Sequence, residues 1–214
     1  NPGRMDYANS ILVNECGAQP VPTYLPWDFE KMVQDTKPDV VIVTSIDRTH
    51  HIYINKAMEL GCDVITEKPL TIDEEKCQSI LDTVKKTGRN LRVTFNYRYA
   101  PYNSKIRELI CERVIGDVTS VHFEWLLDTK HGADYFRRWH RYKEKSGGLL
   151  VHKSTHHFDL MNWWVGSTPR TVSANGKRVF YTPQMARQLG LENHSDRCHT
   201  CPVFDKCDYR LDIE

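Results

Sequence analysis

Short apolar runs alternate with longer stretches of helical periodicity in the first hundred residues. Three runs rich in Val and Ile lie at residues 39–45, 63–66 and 91–95. The first of them is typical of a strand buried on both faces of a parallel sheet. Between the runs, residues 49–60 and 73–86 have helical spacing, with Asp73 as an N-cap and Gly61 and Gly88 at the expected C-terminal caps. This order predicts right-handed crossovers and a Rossmann-type parallel sheet.

The pattern changes after Asn96. We predict, in chain order, a helix, a long alternating strand, a helix and another strand at residues 101–114, 118–127, 148–165 and 170–180. Long strands with alternating faces indicate an open antiparallel or mixed sheet. The predicted fold class is therefore α/β, with a partial Rossmann-type parallel sheet over residues 1–97 followed by an α+β open-sheet domain over residues 98–214.

Composition narrows the range of partners. The 214 residues carry 29 Lys plus Arg against 28 Asp plus Glu, and no block of like charges could follow a phosphate backbone, so we do not expect nucleic acid as a partner. No apolar run reaches the length of a membrane-spanning helix, so we expect no membrane. Single cysteines scattered through predicted helices and strands favour a reducing, cytoplasmic compartment. Because the chain does not begin with Met, an export signal stays open.

Polar residues follow two of the predicted strands. Residues 44–51, with the sequence TSIDRTHH, follow the first strand, and Glu67-Lys68-Pro69 follows the second. In an open parallel sheet, ligands bind beyond the carboxyl ends of the strands, and a helix N-terminus can face a phosphate. On spacing alone, a solvated loop is an equally good interpretation of either segment.

A third polar cluster lies at residues 152–159, with the sequence HKSTHHFD. On a helix, His152 and His156 would share a face, and Asp159 lies three residues after His156. One imidazole could then act as acid or base, oriented by its neighbour. Two alternatives stay open: a zinc site, which lacks the Glu of a zinc hydrolase helix, or polar groups that satisfy one another against Trp163 and Trp164.

Several short motifs, in this order and spacing, resemble one known family. They are Val41-Ile42-Val43-Thr44 leading to His50, Glu67-Lys68-Pro69-Leu70, Asn96-Tyr97-Arg98-Tyr99 with Pro101, and Gly147-Gly148 followed by His156 and Asp159. Each is weak alone. Together they resemble the glucose-fructose oxidoreductase, inositol dehydrogenase and rhizopine-catabolism (Gfo/Idh/MocA) family of NAD(P)-dependent enzymes, over about two thirds of the chain.

The resemblance implies roles for individual residues. Lys68 matches the catalytic lysine beside the nicotinamide and the substrate hydroxyl, and His156 matches the histidine that accepts the hydroxyl proton; His152 is a third catalytic candidate. Residues expected to line NAD or NADP are Thr44, Asp47, His50, Glu67, Lys68, Pro69 and Asn96. The family also implies a homo-oligomer that uses the open sheet as its interface.

The chain departs from the family pattern in two ways. His152 stands where many members carry an aspartate that orients the catalytic imidazole. A histidine cannot stabilise a partner imidazolium as a carboxylate does, so either the proton path differs or the substrate supplies the charge. In addition, the sequence contains no Gly-x-Gly-x-x-Gly. The resemblance implies that this loop, with the acidic residue that selects NAD or NADP, precedes residue 1, and that further residues follow residue 214.

The final cysteines form a separate candidate site. Cys198 and Cys201 make a Cys-x2-Cys pair, and Cys207 follows six residues later. With His194 or His199 as a fourth ligand, the three thiolates could hold zinc or an iron-sulfur cluster that pins a loop. A disulfide with a spare thiol and three unligated thiols are the alternatives.

The leading hypothesis is an NAD(P)-dependent oxidoreductase acting on a sugar, polyol or related carbohydrate. A basic and aromatic segment at residues 135–142 offers rings on which a sugar could stack. A second hypothesis is a glycosidase of the same family that oxidises, eliminates and reduces back, with the cofactor retained. A third is a non-catalytic, metal-stabilised binding protein on a degenerate oxidoreductase fold.

Overall fold

A parallel three-stranded sheet forms the first half of the molecule. The computed structural model describes residues 2–211. Strands β1 (Val40–Val43), β2 (Asp63–Glu67) and β3 (Leu91–Thr94) lie side by side in that order, and all pairings are parallel. The three strands predicted from the sequence are confirmed, with ends that differ by a few residues.

Four helices belong to this half. They are α1 (Pro2–Asn14), α2 (Phe29–Thr36), α3 (His50–Glu59) and α4 (Glu74–Thr87). The caps predicted for α4 are present. The Asp73 side chain accepts a hydrogen bond of 2.9 Å from the backbone amide of Lys76, and Gly88 ends the helix with a positive φ of 66°. Both ends of the crossover helix α4 are thus specified by local sequence.

The core of this half lies on one face of the sheet. Its buried members are Val33, Val41, Val43, Ile54, Ala57, Met58, Cys62, Val64 and Ile80. The prediction that β1 is buried on both faces is wrong for the described residues. Val41 and Val43 are buried, but Val40 is 44% exposed and Ile42 68% exposed, because the described helices cover the face that carries Val41 and Val43.

Six helices of 4 to 11 residues are described in the second half. These are α5 (Pro101–Cys111), α6 (Thr129–Arg137), α7 (Lys143–Ser146), α8 (Leu149–His152), α9 (Thr155–Val165) and α10 (Pro183–Gln188). The helix predicted over residues 148–165 is therefore two helices, separated at Lys153 and Ser154. His152 and His156 lie on different helices. No helix within residues 2–211 is long and apolar enough to cross a bilayer.

The two strands predicted in the second half are not formed. Residues 118–127 and 170–180 have no strand structure, and Val121 and Val172 are 50% and 77% exposed. A strand requires a neighbouring backbone to pair with its amides and carbonyls. Within residues 2–211, neither segment pairs with another strand, so this part of the prediction is wrong for the structure described.

Candidate active site

The carboxyl edge of the sheet gathers polar residues from all three strands. Thr44 follows β1, Glu67 ends β2, and Asn96 begins a 3-10 turn, Asn96–Tyr99, after β3. Thr44 and Asn96 are exposed, whereas Glu67 is half-buried and accepts a 2.5 Å hydrogen bond from the backbone amide of Lys68. Because parallel strands end at the same edge, the structure brings these predicted cofactor residues together.

His50 joins the two loops at this edge. Its side chain is buried, with Nδ1 at 2.9 Å from the carbonyl oxygen of Pro69 and Nε2 at 2.9 Å from that of Ser45. Both ring nitrogens are therefore occupied by the backbone of the protein. His50 thus fixes the β1 loop against the Lys68-Pro69 segment, and its role in lining the cofactor stays a prediction.

Lys68 reaches from this edge into the second half of the chain. Its Nζ donates a 2.9 Å hydrogen bond to the backbone carbonyl oxygen of His152, at the end of α8. Burial lowers the pKa of Lys68, while the charges of Glu67 and Asp47 act in the opposite direction. The ammonium is therefore held in place by α8 and lies in a partly desolvated environment.

Asp47 and His152 form a buried pair. Asp47 lies in the 3-10 turn Asp47–Thr49 after β1 and is only 4% exposed. One of its carboxylate oxygens lies 2.6 Å from His152 Nδ1. His152 is likewise buried, at 9% exposure. Asp47, which is 105 positions away and was predicted as a cofactor contact, thus binds His152 itself. No hydrogen bond among the described residues joins this carboxylate to His156 Nδ1.

Aromatic rings surround His152. Tyr135 and Trp139 each lie edge-on to its imidazole with ring centroids 5.7 Å apart, and His140 lies closer, at 4.4 Å. Burial, together with the nearby His152 and Arg138, lowers the pKa of His140 to about 4. This part of the segment at residues 135–142, in which the sequence indicated rings for sugar stacking, packs around His152.

His156 lies at the start of α9 and stacks on Tyr97. The two rings are 4.1 Å apart with an interplanar angle of 11°. His156 is 4% exposed, and its Nδ1 is buried without a hydrogen-bond partner among the described residues. Burial, reinforced by the charges of Lys68 and Lys153, lowers its pKa to about 3. Its imidazole is therefore neutral at neutral pH.

Lys153 adds a second buried ammonium. It lies between α8 and α9, is 9% exposed, and donates a 2.8 Å hydrogen bond from Nζ to the Tyr97 hydroxyl. Its charge lowers the pKa of both Lys68 and His156. Neither Lys153 nor Tyr97 was singled out from the sequence, although both lie inside motifs that carried the family resemblance.

Asp159 is paired with Arg98. Arg98 donates from Nε to one carboxylate oxygen at 2.7 Å and from Nη2 to the other at 2.5 Å. This bidentate contact raises the pKa of Arg98 and fixes α9 to the turn that carries Tyr97. Both Asp159 oxygens bind the guanidinium, and no hydrogen bond of the described residues joins Asp159 to His156 Nδ1.

Two family models match the chain, one to each half. The family model described as the oxidoreductase family, NAD-binding Rossmann fold, matches residues 9–95. The companion model, the C-terminal alpha/beta domain of the same oxidoreductase family, matches residues 107–210. The chain belongs to the Gfo/Idh/MocA oxidoreductase family. The predicted fold class, a Rossmann-type domain followed by a second α/β domain, is confirmed at this level.

Named relatives of this Gfo/Idh/MocA chain include oxidoreductases and dehydrogenases. The oxidoreductase YteT of Bacillus subtilis is 45% identical over 189 residues, which cover 88% of this chain and 44% of YteT. D-glucoside 3-dehydrogenase of Escherichia coli is 28% identical over 166 residues, covering 77% of this chain and 47% of the enzyme. The crystal structure of apo scyllo-inositol dehydrogenase from Lactobacillus casei superposes with a TM-score of 0.59 at 25% identity, covering 78% of this chain and 45% of that one. The chain thus spans about half the length of these relatives.

The cysteine segment of this Gfo/Idh/MocA chain does not form the predicted metal site. Within residues 2–211, no group of three or more His, Cys, Asp or Glu side chains could hold a metal ion, and Cys198, Cys201 and Cys207 are free. Two of the sulfurs have backbone partners instead, since Cys201 accepts from the Ser195 amide at 3.5 Å and Cys198 from the Leu211 amide at 3.4 Å. The zinc or iron-sulfur prediction has no support in this structure.

Proposed function

We propose that the natural full-length protein transfers hydride between a hydroxyl-bearing carbon of a sugar or polyol and NAD or NADP. One observation carries the proposal. Lys68 Nζ, from the carboxyl edge of the parallel sheet, donates a 2.9 Å hydrogen bond to the carbonyl oxygen of His152, four residues before His156 at the start of α9. The Lys68 charge also lowers the pKa of His156. Family membership supports the nicotinamide cofactor.

The residues at this edge fit a dinucleotide. Thr44 and Asn96 present exposed polar side chains after β1 and β3, and Glu67 and Lys68 lie between them at the end of β2. These four residues would hold the nicotinamide end of the cofactor, in the crevice where open α/β sheets bind ligands. When bound, the nicotinamide supplies the hydride acceptor.

Lys68 would stabilise the negative charge that develops on the substrate oxygen. As the C–H hydride leaves and the O–H proton is removed, the hydroxyl oxygen gains charge on its way to a carbonyl oxygen. The Lys68 ammonium is already fixed by its hydrogen bond to the His152 carbonyl, so little reorganisation is needed. Its partial burial strengthens the interaction with that oxygen.

His156 would accept the hydroxyl proton. A base must be unprotonated before it acts, and the pKa of about 3 keeps the imidazole neutral at neutral pH. Stacking on Tyr97 fixes the orientation of the ring and shields it from water. Without substrate the imidazole is a weak base, because Lys68 and Lys153 disfavour the imidazolium. The negative charge that develops on the substrate oxygen would offset their field as the proton is transferred.

The substrate class is supported by two of the relatives. One is named for a D-glucoside and the other for scyllo-inositol, and both compounds are polyhydroxylated rings. A carbohydrate or polyol substrate therefore suits the proposed chemistry, whereas the choice between NAD and NADP stays open.

The test is turnover of a sugar and polyol panel by the full-length protein, followed by the absorbance of the reduced cofactor. Lys68→Met and His156→Gln should each lower kcat at least about a hundredfold. The exposed residues Lys85 and His122 provide matched controls, Lys85→Met and His122→Gln, which should retain activity. Equal activity in Lys68→Met and Lys85→Met would refute the proposal, and consumption of a glycoside without net reduced cofactor would indicate the glycosidase cycle instead.

A further inference from the structure

Lys153 is a buried cation whose charge no carboxylate balances. Lys153 is 9% exposed, and its Nζ donates a hydrogen bond to the neutral hydroxyl of Tyr97. Tyr135 is also near the ammonium, whose charge acts on the Tyr135 hydroxyl. Among the ion pairs of residues 2–211, none includes Lys153. A buried ammonium is costly unless an opposite charge accompanies it.

The carboxylates around the site already have partners. Asp47 is bound to His152 Nδ1, Asp159 to the Arg98 guanidinium, and Glu67 to the backbone amide of Lys68. Two ammonium groups, Lys68 and Lys153, therefore share a partly desolvated space, and each lowers the pKa of His156. Lys68 lies near the charges of Glu67 and Asp47, whereas Lys153 has no carboxylate partner among the ion pairs of residues 2–211. Lys153 is therefore the cation with which an incoming anion would pair.

We propose that the substrate of this site is an acidic sugar, a uronic or aldonic acid, whose carboxylate binds the Lys153 ammonium. The inference rests on the proposed function, in which a hydroxyl-bearing carbon of the same substrate is oxidised. The position of the cation favours the substrate over a cofactor phosphate, because Lys153 contacts Tyr97 and Tyr97 stacks on the proposed base His156. Lys153 Nζ also lies over the face of the Tyr97 ring, 5.1 Å from its centroid.

A bound carboxylate would also act on the base. Part of the depression of the His156 pKa comes from the Lys68 and Lys153 charges. An anion placed against Lys153 offsets that field and raises the proton affinity of the imidazole. The acid is then both better bound and more readily oxidised than its neutral analogue, since His156 becomes a stronger base only when the anion is present.

The experiment compares three matched pairs of compounds with the full-length protein: glucuronate with glucose, galacturonate with galactose, and mannuronate with mannose. In each pair, the acid carries a carboxylate where the neutral sugar carries a hydroxymethyl group. Binding of each compound to the protein with NAD present is measured by calorimetry. Oxidation is measured by the absorbance of the reduced cofactor that forms. For at least one pair, the acid should bind about tenfold to a hundredfold more tightly, and Lys153→Met should abolish that ratio.

Two variants separate charge from packing. Lys153→Arg keeps the positive charge and should keep a preference for the acid, whereas the exposed control Lys85→Met should leave the preference at the wild-type value. If no acid binds more tightly than its neutral partner, or if Lys153→Met leaves the ratio unchanged, the inference is wrong. If acids bind through Lys153 but no compound reduces the cofactor, the inference stands and the proposed dehydrogenase function fails.

Discussion

Asp47 and His152 are 105 positions apart in the chain, and their side chains meet at 2.6 Å in a buried contact. The first comes from the turn after β1 and the second from the end of α8. The contact therefore joins the cofactor half to the second half. The backbone carbonyl of the same His152 holds Lys68 Nζ, so the pair also fixes the position of the proposed catalytic ammonium.

Loss of the Asp47 charge should impair turnover more than binding. Asp47→Asn keeps the shape of the side chain but removes the carboxylate that orients His152. We expect kcat to fall about tenfold to a hundredfold with a smaller change in KM, because Lys68 loses its fixed position rather than its substrate contact. Steady-state kinetics measure both parameters, and Asp82→Asn, at an exposed site on α4, is the control. Equal values of kcat in the two variants would contradict this prediction.

Placing the family's usual aspartate at position 152 should destabilise this chain. In His152→Asp, two carboxylates would face each other in a buried space, which is strongly unfavourable. We expect the free energy of unfolding in urea to fall by roughly 3 kcal/mol. Adding Asp47→Asn should recover a large part of the loss, because the repulsion is removed. Additive effects in the double variant would show that residues 47 and 152 are not coupled.

Much of the cofactor half could be predicted because its signals are local. The Val-rich run of β1 and the caps at Asp73 and Gly88 lie within a few residues of the elements they specify. The Asp47–His152 contact could not be predicted, since neither residue's local sequence indicates the other. The segments at 118–127 and 170–180 show the same limit, because an alternating pattern gives a strand its face but not the partner that it needs.

The placement of Lys68 and His156 was inferred from motifs, whereas the break between α8 and α9 was not. The sequence over residues 148–165 has no proline or other strong helix breaker at Lys153, so one continuous helix was the natural prediction. The break places Lys153 against Tyr97 and gives His152 and His156 separate surroundings. Tertiary contacts, rather than helix propensity, decide the geometry there.

Acidification should destabilise the protein through His156. Its pKa is lowered from 6.5 to about 3 by burial and by Lys68 and Lys153. Between those pH values the unfolded chain binds more protons than the folded one, so the free energy of unfolding falls as the pH decreases. Tm should drop between neutral pH and the acid end of this window, and drop less in His156→Gln. The same drop in both proteins would contradict this account, and His122→Gln serves as the exposed control.

The Arg98–Asp159 pair should contribute to stability where an exposed pair does not. Asp159 is largely buried and is bound at two oxygens, whereas Lys105 and Glu108 pair on the surface of α5. Asp159→Asn should lower the free energy of unfolding by about 1–3 kcal/mol, and Glu108→Gln by less than about 0.5 kcal/mol. If urea unfolding gives equal losses of unfolding free energy for the two variants, the buried bidentate contact contributes no more to stability than the exposed pair.

The most direct test of the proposed function is the fate of the hydrogen on the substrate carbon. The full-length protein is incubated with NAD or NADP and a sugar deuterated at its hydroxyl-bearing carbons, and the cofactor is analysed by mass spectrometry. Direct hydride transfer at the Lys68 and His156 site predicts that deuterium enters the nicotinamide ring with the wild-type protein, and enters it at least about a hundredfold more slowly with Lys68→Met. Substrate consumption without deuterium in the cofactor, or equal labelling in both proteins, would contradict it.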